Sequence, residues 1–215
     1  MGRRSLRPID PLLDLSRYLL TFEQLPQPFS SEELFGRVAP LEVEVGSGKG
    51  LFLRTVVPER PETNFLGIEM ARKYARFAAA GLAKRRINNA TVAAADAIRV
   101  FHELLPDNSL AAVHVYFPDP WWKKRHEKRR LMRRSFLDDV ERTLLSGGLL
   151  HFWTDVEEYF RASLELLADQ GKLEGPLEVS EPDPEHDMDY RTHFERRMRQ
   201  HDKPVYRAEF RKPAG

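Results

Sequence analysis

The positions of apolar and polar residues along the chain follow two patterns in turn, and their alternation predicts the fold. Short, nearly continuous apolar runs are separated by stretches with helical spacing, a pattern typical of a mostly parallel sheet with crossover helices. Leu110–Phe117 is the most apolar run and is expected at the centre of the sheet. The runs predict seven strands, at Leu41–Val45, Asn64–Glu69, Ala90–Ala95, Leu110–Phe117, Leu149–Thr154, Leu173–Val179 and Val205–Arg211.

Helical spacing predicts Ala71–Arg86, Arg133–Leu145 and Glu157–Asp169 as helices between these strands. Gly147-Gly148 is expected to close the second of them, because glycine readily adopts the left-handed conformation of a helix C-cap. The connection before Val205–Arg211 is too short for a crossover helix, which favours an antiparallel final strand. The predicted fold class is therefore α/β, with a doubly wound seven-stranded sheet that is mostly parallel.

Residues 1–40 follow a different pattern from the rest of the chain. Ser30 and Glu33 have the spacing of a capping box that begins a short helix. The first ten or so residues are expected to be mobile, and their three arginines either seek a polyanion or stay solvated. The chain has 215 residues, enough for one domain with a substantial core. We expect an N-terminal arm with short helices over 1–40 and a single domain over 41–215.

Composition narrows the classes of site and partner. The chain has no cysteine, which excludes disulfides and thiolate metal sites and favours a cytoplasmic location. No apolar run approaches the roughly 20 residues of a membrane span. His126 and Glu127 lack the H-E-x-x-H pattern, so no metal site is predicted. The net charge is only +1, yet Trp121–Arg134 is strongly basic, and such a concentration of cations is typical of a surface that meets a polyanion.

A glycine-rich turn, Gly46-Ser47-Gly48-Lys49-Gly50, closes the first predicted strand. Its spacing matches neither the dinucleotide-binding G-x-G-x-x-G loop nor the P-loop, in which Ser or Thr follows the lysine. A plain strand-to-helix turn would have the same sequence. The turn alone therefore does not identify a ligand.

Acidic residues stand at three consecutive strand ends: Glu44, Glu69 and Asp96. Glu69 is placed to accept hydrogen bonds from ribose hydroxyls, and Asp96 is placed to face an adenine. Glu44 lies inside an apolar strand, where an unpaired charge costs several kcal/mol, so it requires a partner. Each acid alone could be a cap or a surface residue. Together they favour a nucleoside without phosphates, such as S-adenosylmethionine, whose cationic groups acids can pair.

The predicted central strand ends in Phe117-Pro118-Asp119-Pro120-Trp121. In doubly wound sheets, ligands bind outside the carboxyl ends of the strands. The prolines stiffen the loop, which would hold Asp119 rigidly beside such a site. Trp121 and Trp122 either stack on a nucleobase or pack in the core.

On these residues the chain resembles the bacterial tRNA (guanine-N(7)-)-methyltransferases. The similarity runs in family order from about residue 41 onward, and its most specific parts are the Phe-Pro-Asp-Pro-Trp element with the cations after it and the Thr-x-Phe-Glu-x-Arg element. The matching segments are Glu44–Gly50, Phe65–Glu69, Asp96-Ala97, Phe117–His126, Lys128–Arg130, Trp153–Asp155 with Tyr159, and Thr192–Arg196.

The resemblance implies a Rossmann-like class I methyltransferase fold, S-adenosyl-L-methionine as methyl donor, and a guanine in the variable loop of tRNA as substrate. It also implies three groups of contacts. The cofactor group is Glu44, Gly46, Gly48, Glu69, Asp96 and Asp119; the substrate group is Lys123, Asp155, Thr192, His193, Phe194 and Glu195; the RNA group is Arg125, His126, Lys128, Arg129 and Arg130.

Guanine N(7) carries a lone pair and no proton, so no general base is needed and catalysis becomes a matter of positioning. Asp119 is the predicted catalytic residue, since a carboxylate would stabilise the positive charge that develops on the purine. Asp155 and Glu195 are alternatives for gripping the base. Two other functions stay open: methyl transfer to an exocyclic amine or an amide, and RNA binding by a protein with an inactive cofactor site.

Overall fold

One eight-stranded sheet organises the molecule, for which we use a computed structural model that describes residues 6–121, 130–179, 192–201 and 203–214. The strands are β1 (Leu19–Thr21), β2 (Leu41–Val45), β3 (Asn64–Ile68), β4 (Ala90–Ala94), β5 (Leu110–Tyr116), β6 (Leu144–Thr154), β7 (Glu174–Leu177) and β8 (Tyr206–Arg211). Their order across the sheet is β1-β4-β3-β2-β5-β6-β8-β7. The first six strands run parallel, while β8 is antiparallel to both of its neighbours. The predictions of a mostly parallel sheet, a central β5 and an antiparallel final strand are confirmed.

Helices cover both faces of the sheet. They are α1 (Ser31–Phe35), α2 (Leu51–Thr55), α3 (Arg72–Arg85), α4 (Ala97–Glu103), α5 (Arg134–Thr143), α6 (Glu157–Gln170) and α7 (His193–Arg199). Successive strand residues point to opposite faces, so Leu66 joins the core under α4, α5 and α6, whereas Phe65 joins the core under α2 and α3. Within the described ranges, no helix is long and apolar enough to cross a membrane.

The sheet has one strand more than the seven predicted. β1 adds to the edge beside β4, with Leu19 opposite Val92 and Thr21 opposite Ala94. Three residues are too few to display a periodic pattern, and for this reason the sequence gives no sign of β1. Its position attaches the N-terminal region directly to the sheet.

The prediction that Gly147-Gly148 caps a helix is wrong. α5 ends at Thr143, and the chain enters β6 at once, with Leu144 paired to Leu110 of β5. The two glycines lie inside β6, where the register with β5 shifts. A Cβ on Gly148 would stand 2.9 Å from the carbonyl oxygen of Leu145 and 3.1 Å from that of Leu110. The glycines therefore allow a bulge in a strand, because a side chain on Gly148 would collide with neighbouring carbonyls and Gly147 adopts a left-handed φ of 79°.

The N-terminal region packs against the sheet from about residue 15 onward. Phe22, Leu25 and Phe29 are buried in the same cluster as Val43 of β2. The predicted short helix is confirmed as α1, and the hydroxyl of its N-cap, Ser30, accepts a hydrogen bond from the following turn of backbone. Residues 1–5 lie outside the described residues, and the mobility expected of the arm stays a prediction.

Candidate active site

Five acidic residues lie at the same end of the sheet, because each stands at or just after the carboxyl end of a parallel strand. Glu44 is in β2, Glu69 and Asp96 follow β3 and β4, and Asp119 and Asp155 follow β5 and β6. Glu44 is buried, Glu69 and Asp155 are half-buried, and Asp96 and Asp119 are exposed. The topology therefore collects the predicted acids on one side of the molecule.

The glycine turn after β2 is held in place by Glu69. Gly46, Gly48 and Gly50 have φ angles of 78°, 52° and 68°, in the left-handed region that glycine tolerates. One carboxylate oxygen of Glu69 accepts a hydrogen bond from the Gly48 amide at 2.8 Å, and the other accepts from the Ala71 amide at 2.7 Å. A carboxylate has about four lone-pair sites, so Glu69 can brace the turn and still accept hydrogen bonds from a ligand.

A cavity of about 240 Å³ opens over this turn. Glu44 and the glycine turn form one side, Tyr74 of α3 and Tyr116 of β5 contribute further walls, and α7 contributes Phe194. The rings of Phe117 and Phe194 stand 4.9 Å apart, which brings the end of β5 against α7. The cavity thus has an acidic residue at its bottom and aromatic residues in its walls.

Glu44 is the chemically exceptional residue of this cavity. Its side-chain oxygen Oε2 is buried and has no hydrogen-bond partner among the described residues. Burial raises the pKa of Glu44 to about 8; the hydrogen bond of Ser47 opposes the rise and the charge of Glu69 adds to it. Buried polar atoms are rarely left unpaired, and a strongly perturbed carboxyl in a cleft is a candidate ligand-binding group. The arrangement is that of an acid prepared for a cationic ligand.

Asp96 has the capping role that was the alternative for each acid taken alone. It is the N-cap of α4, and its Oδ1 accepts a hydrogen bond from the Ile98 amide at 2.9 Å. A carboxylate at this position also opposes the helix dipole favourably. The predicted contact between Asp96 and an adenine stays a prediction.

The loop after β5 leaves the strand under backbone strain. Phe117 and Trp121 have φ angles of 50° and 43°, which bulky residues rarely adopt. The Phe117 amide donates to the carbonyl oxygen of Trp153 at 2.8 Å and fixes the point where the loop departs. Such strain is typical of functional sites. Asp119 is not among the described residues that line the cavity, and its catalytic role stays a prediction.

Arg130 folds back onto its own loop. Its Nε donates to the carbonyl oxygen of Pro120 at 2.9 Å, and its guanidinium lies 5.7 Å from the ring centre of Tyr159. Arg130 therefore joins the two ends of segment 121–130, and its contact with RNA stays a prediction. The remaining predicted contacts of this segment, Trp122, Lys123, Arg125, His126, Lys128 and Arg129, lie outside the described residues.

α7 is anchored by two residues that the resemblance assigns to the substrate. Thr192 caps the helix, its hydroxyl accepting from the Glu195 amide at 3.0 Å. The buried Glu195 carboxylate pairs with Arg207 of β8 at 3.1 Å, and this arginine lies 4.7 Å from the Trp153 ring. These contacts hold Phe194 and Arg197 against the cavity. Thr192 and Phe194 line the cavity, Glu195 is not among the described residues that line it, and the His193 side chain lies outside the described residues.

A buried polar chain behind the cavity was not predicted. Glu42 of β2 forms an ion pair with Arg60, its Oε2 lies 2.8 Å from His114 Nε2, and His114 Nδ1 lies 2.9 Å from the Tyr116 hydroxyl. Burial tends to raise the pKa of Glu42, but the hydrogen bonds and charges of His114 and Arg60 lower it to about 2. The sequence did carry one sign of this chain: Glu42 and His114 lie inside apolar runs, and buried polar residues need partners.

Two residues that line the cavity, Arg197 and Tyr74, were not predicted from the sequence. Arg197 belongs to the Thr-x-Phe-Glu-x-Arg element, which could have indicated it. Nothing in the sequence indicated Tyr74, because an aromatic residue on a helix fits a core position equally well. Among the described residues, no three His, Asp or Glu side chains are placed to share a metal ion.

Comparison with known proteins gives a consistent result. A family model described as "Putative methyltransferase" matches residues 38–208. A tRNA (guanine-N(7)-)-methyltransferase of Rhodopirellula baltica is 50% identical over 99% of this chain and 80% of its own length. One of Salmonella paratyphi A is 39% identical over 74% of this chain, and that match spans 65% of the Salmonella protein.

Solved structures support the fold at low sequence identity. A 30S ribosomal A1408 methyltransferase from an uncultured bacterium has a TM-score of 0.54 at 16% identity, covering 85% of this chain and 94% of its own. The antibiotic-resistance methyltransferase Kmr has a TM-score of 0.56 at 15% identity, covering 82% of this chain and 88% of its own. The near full-length match at 50% identity and the family model together assign the protein: this chain belongs to the bacterial tRNA (guanine-N(7)-)-methyltransferase family.

Proposed function

We propose that this protein transfers a methyl group from S-adenosyl-L-methionine to ring N(7) of a guanine in the variable loop of tRNA. The observation that carries the proposal is Glu44, a buried carboxylate with an unpartnered oxygen at the base of a cavity beside a glycine turn. The family to which the chain belongs supplies the reaction and the class of substrate.

The residues present suit the cofactor. Glu44 would accept hydrogen bonds from the ammonium group of the methionine part, because a cation beside this buried acid favours its carboxylate form and lowers its raised pKa. The turn at Gly46 and Gly48 lets a ligand approach the backbone closely, and Glu69 retains lone pairs for ribose hydroxyls. When bound, S-adenosylmethionine supplies an electrophilic methyl group on a sulfonium.

The protein's own contribution to the reaction is positioning and charge stabilisation. Guanine N(7) has a free lone pair, so the residues around it need not remove a proton. Asp119 follows β5 at the same edge as Glu44, where its carboxylate would stabilise positive charge developing on the purine. Asp155, at the end of the adjacent β6, and Glu195 are the alternatives for hydrogen bonding to the base. Phe117 and Phe194, whose rings are in contact, make an apolar part of the cavity wall.

The tRNA must present its base at this edge of the sheet. In folded tRNA the guanine is stacked, and withdrawing it costs a few kcal/mol. The cations of residues 123–134 would offset that cost by gripping phosphates. A tRNA substrate and a chain without cysteine both fit a cytoplasmic enzyme.

The test is methylation of a tRNA transcript with labelled cofactor, followed by reduction and aniline cleavage. This treatment cuts RNA only at N(7)-methylguanine, so we expect one cut, in the variable loop. Methyl incorporation without that cut would indicate transfer to an exocyclic amine instead. Absence of incorporation, with tRNA binding but no cofactor binding by calorimetry, would indicate an RNA-binding protein with an inactive cofactor site.

Replacing Asp119 with Asn tests the catalytic assignment. Losing a carboxylate that stabilises transition-state charge should lower kcat by about 100-fold while cofactor affinity changes little. Asp107→Asn is the matched control, because Asp107 is exposed and precedes β5, at the amino end of the sheet. Near-normal turnover of Asp119→Asn would transfer the role to Asp155 or Glu195.

A further inference from the structure

Helix α3 carries exposed cations and no acid of its own. Between residues 70 and 95 the chain has six lysines and arginines and no aspartate or glutamate. All six are exposed: Arg72, Lys73, Arg76, Lys84, Arg85 and Arg86. We name these six residues the α3 surface. On the opposite face of the sheet, α5 and α6 mix acids with bases, so the α3 surface is a local excess of positive charge in a protein of net charge +1.

A built pocket lies beneath the second half of the α3 surface. It has a volume of about 240 Å³ and is lined by Arg7, Arg54, Lys84 and Arg85 above apolar residues of α3 and the N-terminal segment. No acidic side chain is among the described residues that line it. The N-terminal segment thus adds its own cation to those of the helices.

Gly81 allows Arg54 to reach this pocket. The side chain of Arg54 crosses α3 directly over Gly81, where an added Cβ would stand 2.7 Å from Arg54 Cδ. Arg54 Nε donates to the carbonyl oxygen of Gly50 at 2.9 Å, which fixes the direction of the side chain. Burial and the nearby charge of Arg85 lower the pKa of Arg54. The fold therefore holds two guanidinium groups close together, and an anion between them would relieve their repulsion.

The α3 surface begins beside the cofactor cavity. Tyr74 lines that cavity, and Lys84 lies ten residues later on the same helix. At a rise of 1.5 Å per residue, the two are about 15 Å apart along the helix axis. That length accommodates several phosphates of one nucleic-acid strand, which advance about 3.4 Å per nucleotide in a duplex. A strand entering the cavity would run over these cations.

We propose that the α3 surface, together with Arg7 and Arg54, is a second tRNA-binding surface that grips backbone phosphates away from the methylated base. In sequence it is distinct from the basic segment at residues 123–134, which comes after β5. The proposal rests on the proposed function, which supplies tRNA as the ligand. Continuity with the cavity that must receive a tRNA base favours RNA over a small anion or an anionic lipid surface.

The experiment compares two double variants that remove the same charge. Lys84→Ala/Arg85→Ala removes two cations of the α3 surface, whereas Arg161→Ala/Lys172→Ala removes two exposed cations near α6, on the opposite face. The affinity for a tRNA transcript is measured over a range of salt concentrations. We expect the first variant to bind about tenfold more weakly, with a salt slope shallower by about one to two. The control should stay within about twofold of the wild type.

A second readout separates binding from catalysis. Cofactor affinity and kcat at saturating tRNA should be unchanged in Lys84→Ala/Arg85→Ala, while KM for tRNA rises. Gly81→Ala should weaken tRNA binding in the same direction, because it displaces Arg54 without removing a charge. Circular dichroism establishes that each variant is folded.

Several outcomes would overturn the proposal. Wild-type affinity and salt slope in the α3 double variant, with normal methylation by the wild-type protein, would exclude the α3 surface and leave the proposed function intact. Inorganic phosphate or anionic vesicles that bind the wild type but not the variant, with tRNA affinity unaffected, would assign the pocket to that other ligand. A wild-type protein that binds tRNA without methylating it would overturn the proposed function and still test the α3 surface, whereas one that binds no tRNA would overturn both.

Discussion

Glu42 and Glu44 stand two residues apart on the same face of β2, and both are almost fully buried, with 4% and 3% of their surface exposed. Glu42 has two cationic or polar partners, and its pKa falls to about 2. Glu44 has a buried oxygen without a partner among the described residues, and its pKa rises to about 8. Their sequence neighbourhoods are nearly identical, so the difference comes from the elements packed above them.

The comparison separates a carboxylate whose partners lie within the protein from one that faces a cavity. Arg60 and His114 satisfy Glu42 within the protein, whereas the space above Glu44 is the cavity itself. Retaining an unpaired acid in the core lowers stability, and proteins accept such a cost at functional sites. The contrast therefore supports the proposal that Glu44, rather than Glu42, is the ligand-binding acid of β2.

The largest expected effect is the loss of cofactor binding in Glu44→Gln. The amide cannot pair with the ammonium group of S-adenosylmethionine, and losing a buried charge-assisted hydrogen bond should weaken binding by about 100-fold. Calorimetry with the purified variant measures this directly. An affinity within about threefold of the wild type would remove Glu44 from the cofactor site.

Replacing the other carboxylate should affect stability more than binding. Glu42→Gln leaves Arg60 and the buried His114 without their anion, which should lower the free energy of unfolding by about 2–3 kcal/mol. Urea denaturation measures the loss, and cofactor affinity should fall less than in Glu44→Gln. If both variants lost stability equally, the distinction between the two carboxylates would be wrong.

The smallest expected effect is on the pH dependence of stability without cofactor. The folded-state pKa of Glu44, about 8, lies above its ordinary value of 4.5. Between these values the folded chain binds more protons than the unfolded chain, so the contribution of Glu44 to stability falls as pH rises.

Glu44→Gln should remove this decline, which amounts to about 2 kcal/mol between pH 6 and 8. Glu42 acts in the opposite sense, since its lowered pKa stabilises the fold above pH 4.5 and that stability is lost as pH falls toward 2. The acid-side loss should therefore persist in Glu44→Gln. Urea denaturation of the wild type and the variant at a series of pH values measures this. If the free energy of unfolding changed with pH equally in both proteins above pH 6, the raised pKa of Glu44 would be contradicted.

The sequence was informative wherever local pattern decides structure. Leu41–Val45 was predicted with both of its bounds, and β3, β4 and β5 within one residue, because buried parallel strands form uninterrupted apolar runs. The start of β6 was placed at Leu149 rather than Leu144, since Gly147-Gly148 resembles a helix end and only the pairing with β5 shows a bulge.

The site was predictable only in part, for a similar reason. Glu44 and the glycine turn were found because they adjoin one another in sequence. The partners of Glu42 depend on strand order, which places His114 of β5 beside β2. The path of Arg54 over Gly81 depends on how α2 packs against α3, and no one-dimensional pattern records that contact.

The position of β8 has a consequence for the biosynthesis of this protein. β8 is inserted between β6 and β7 and therefore completes the interior of the sheet after both neighbours have been translated. Until it emerges from the ribosome, the edge of β6 is unpaired, and α7 lacks the Arg207 anchor that sets it against the cavity. Before β8 is made, a nascent chain should thus expose an unpaired strand edge that can pair with other chains, and the cavity wall formed by α7 should lack its Arg207 anchor.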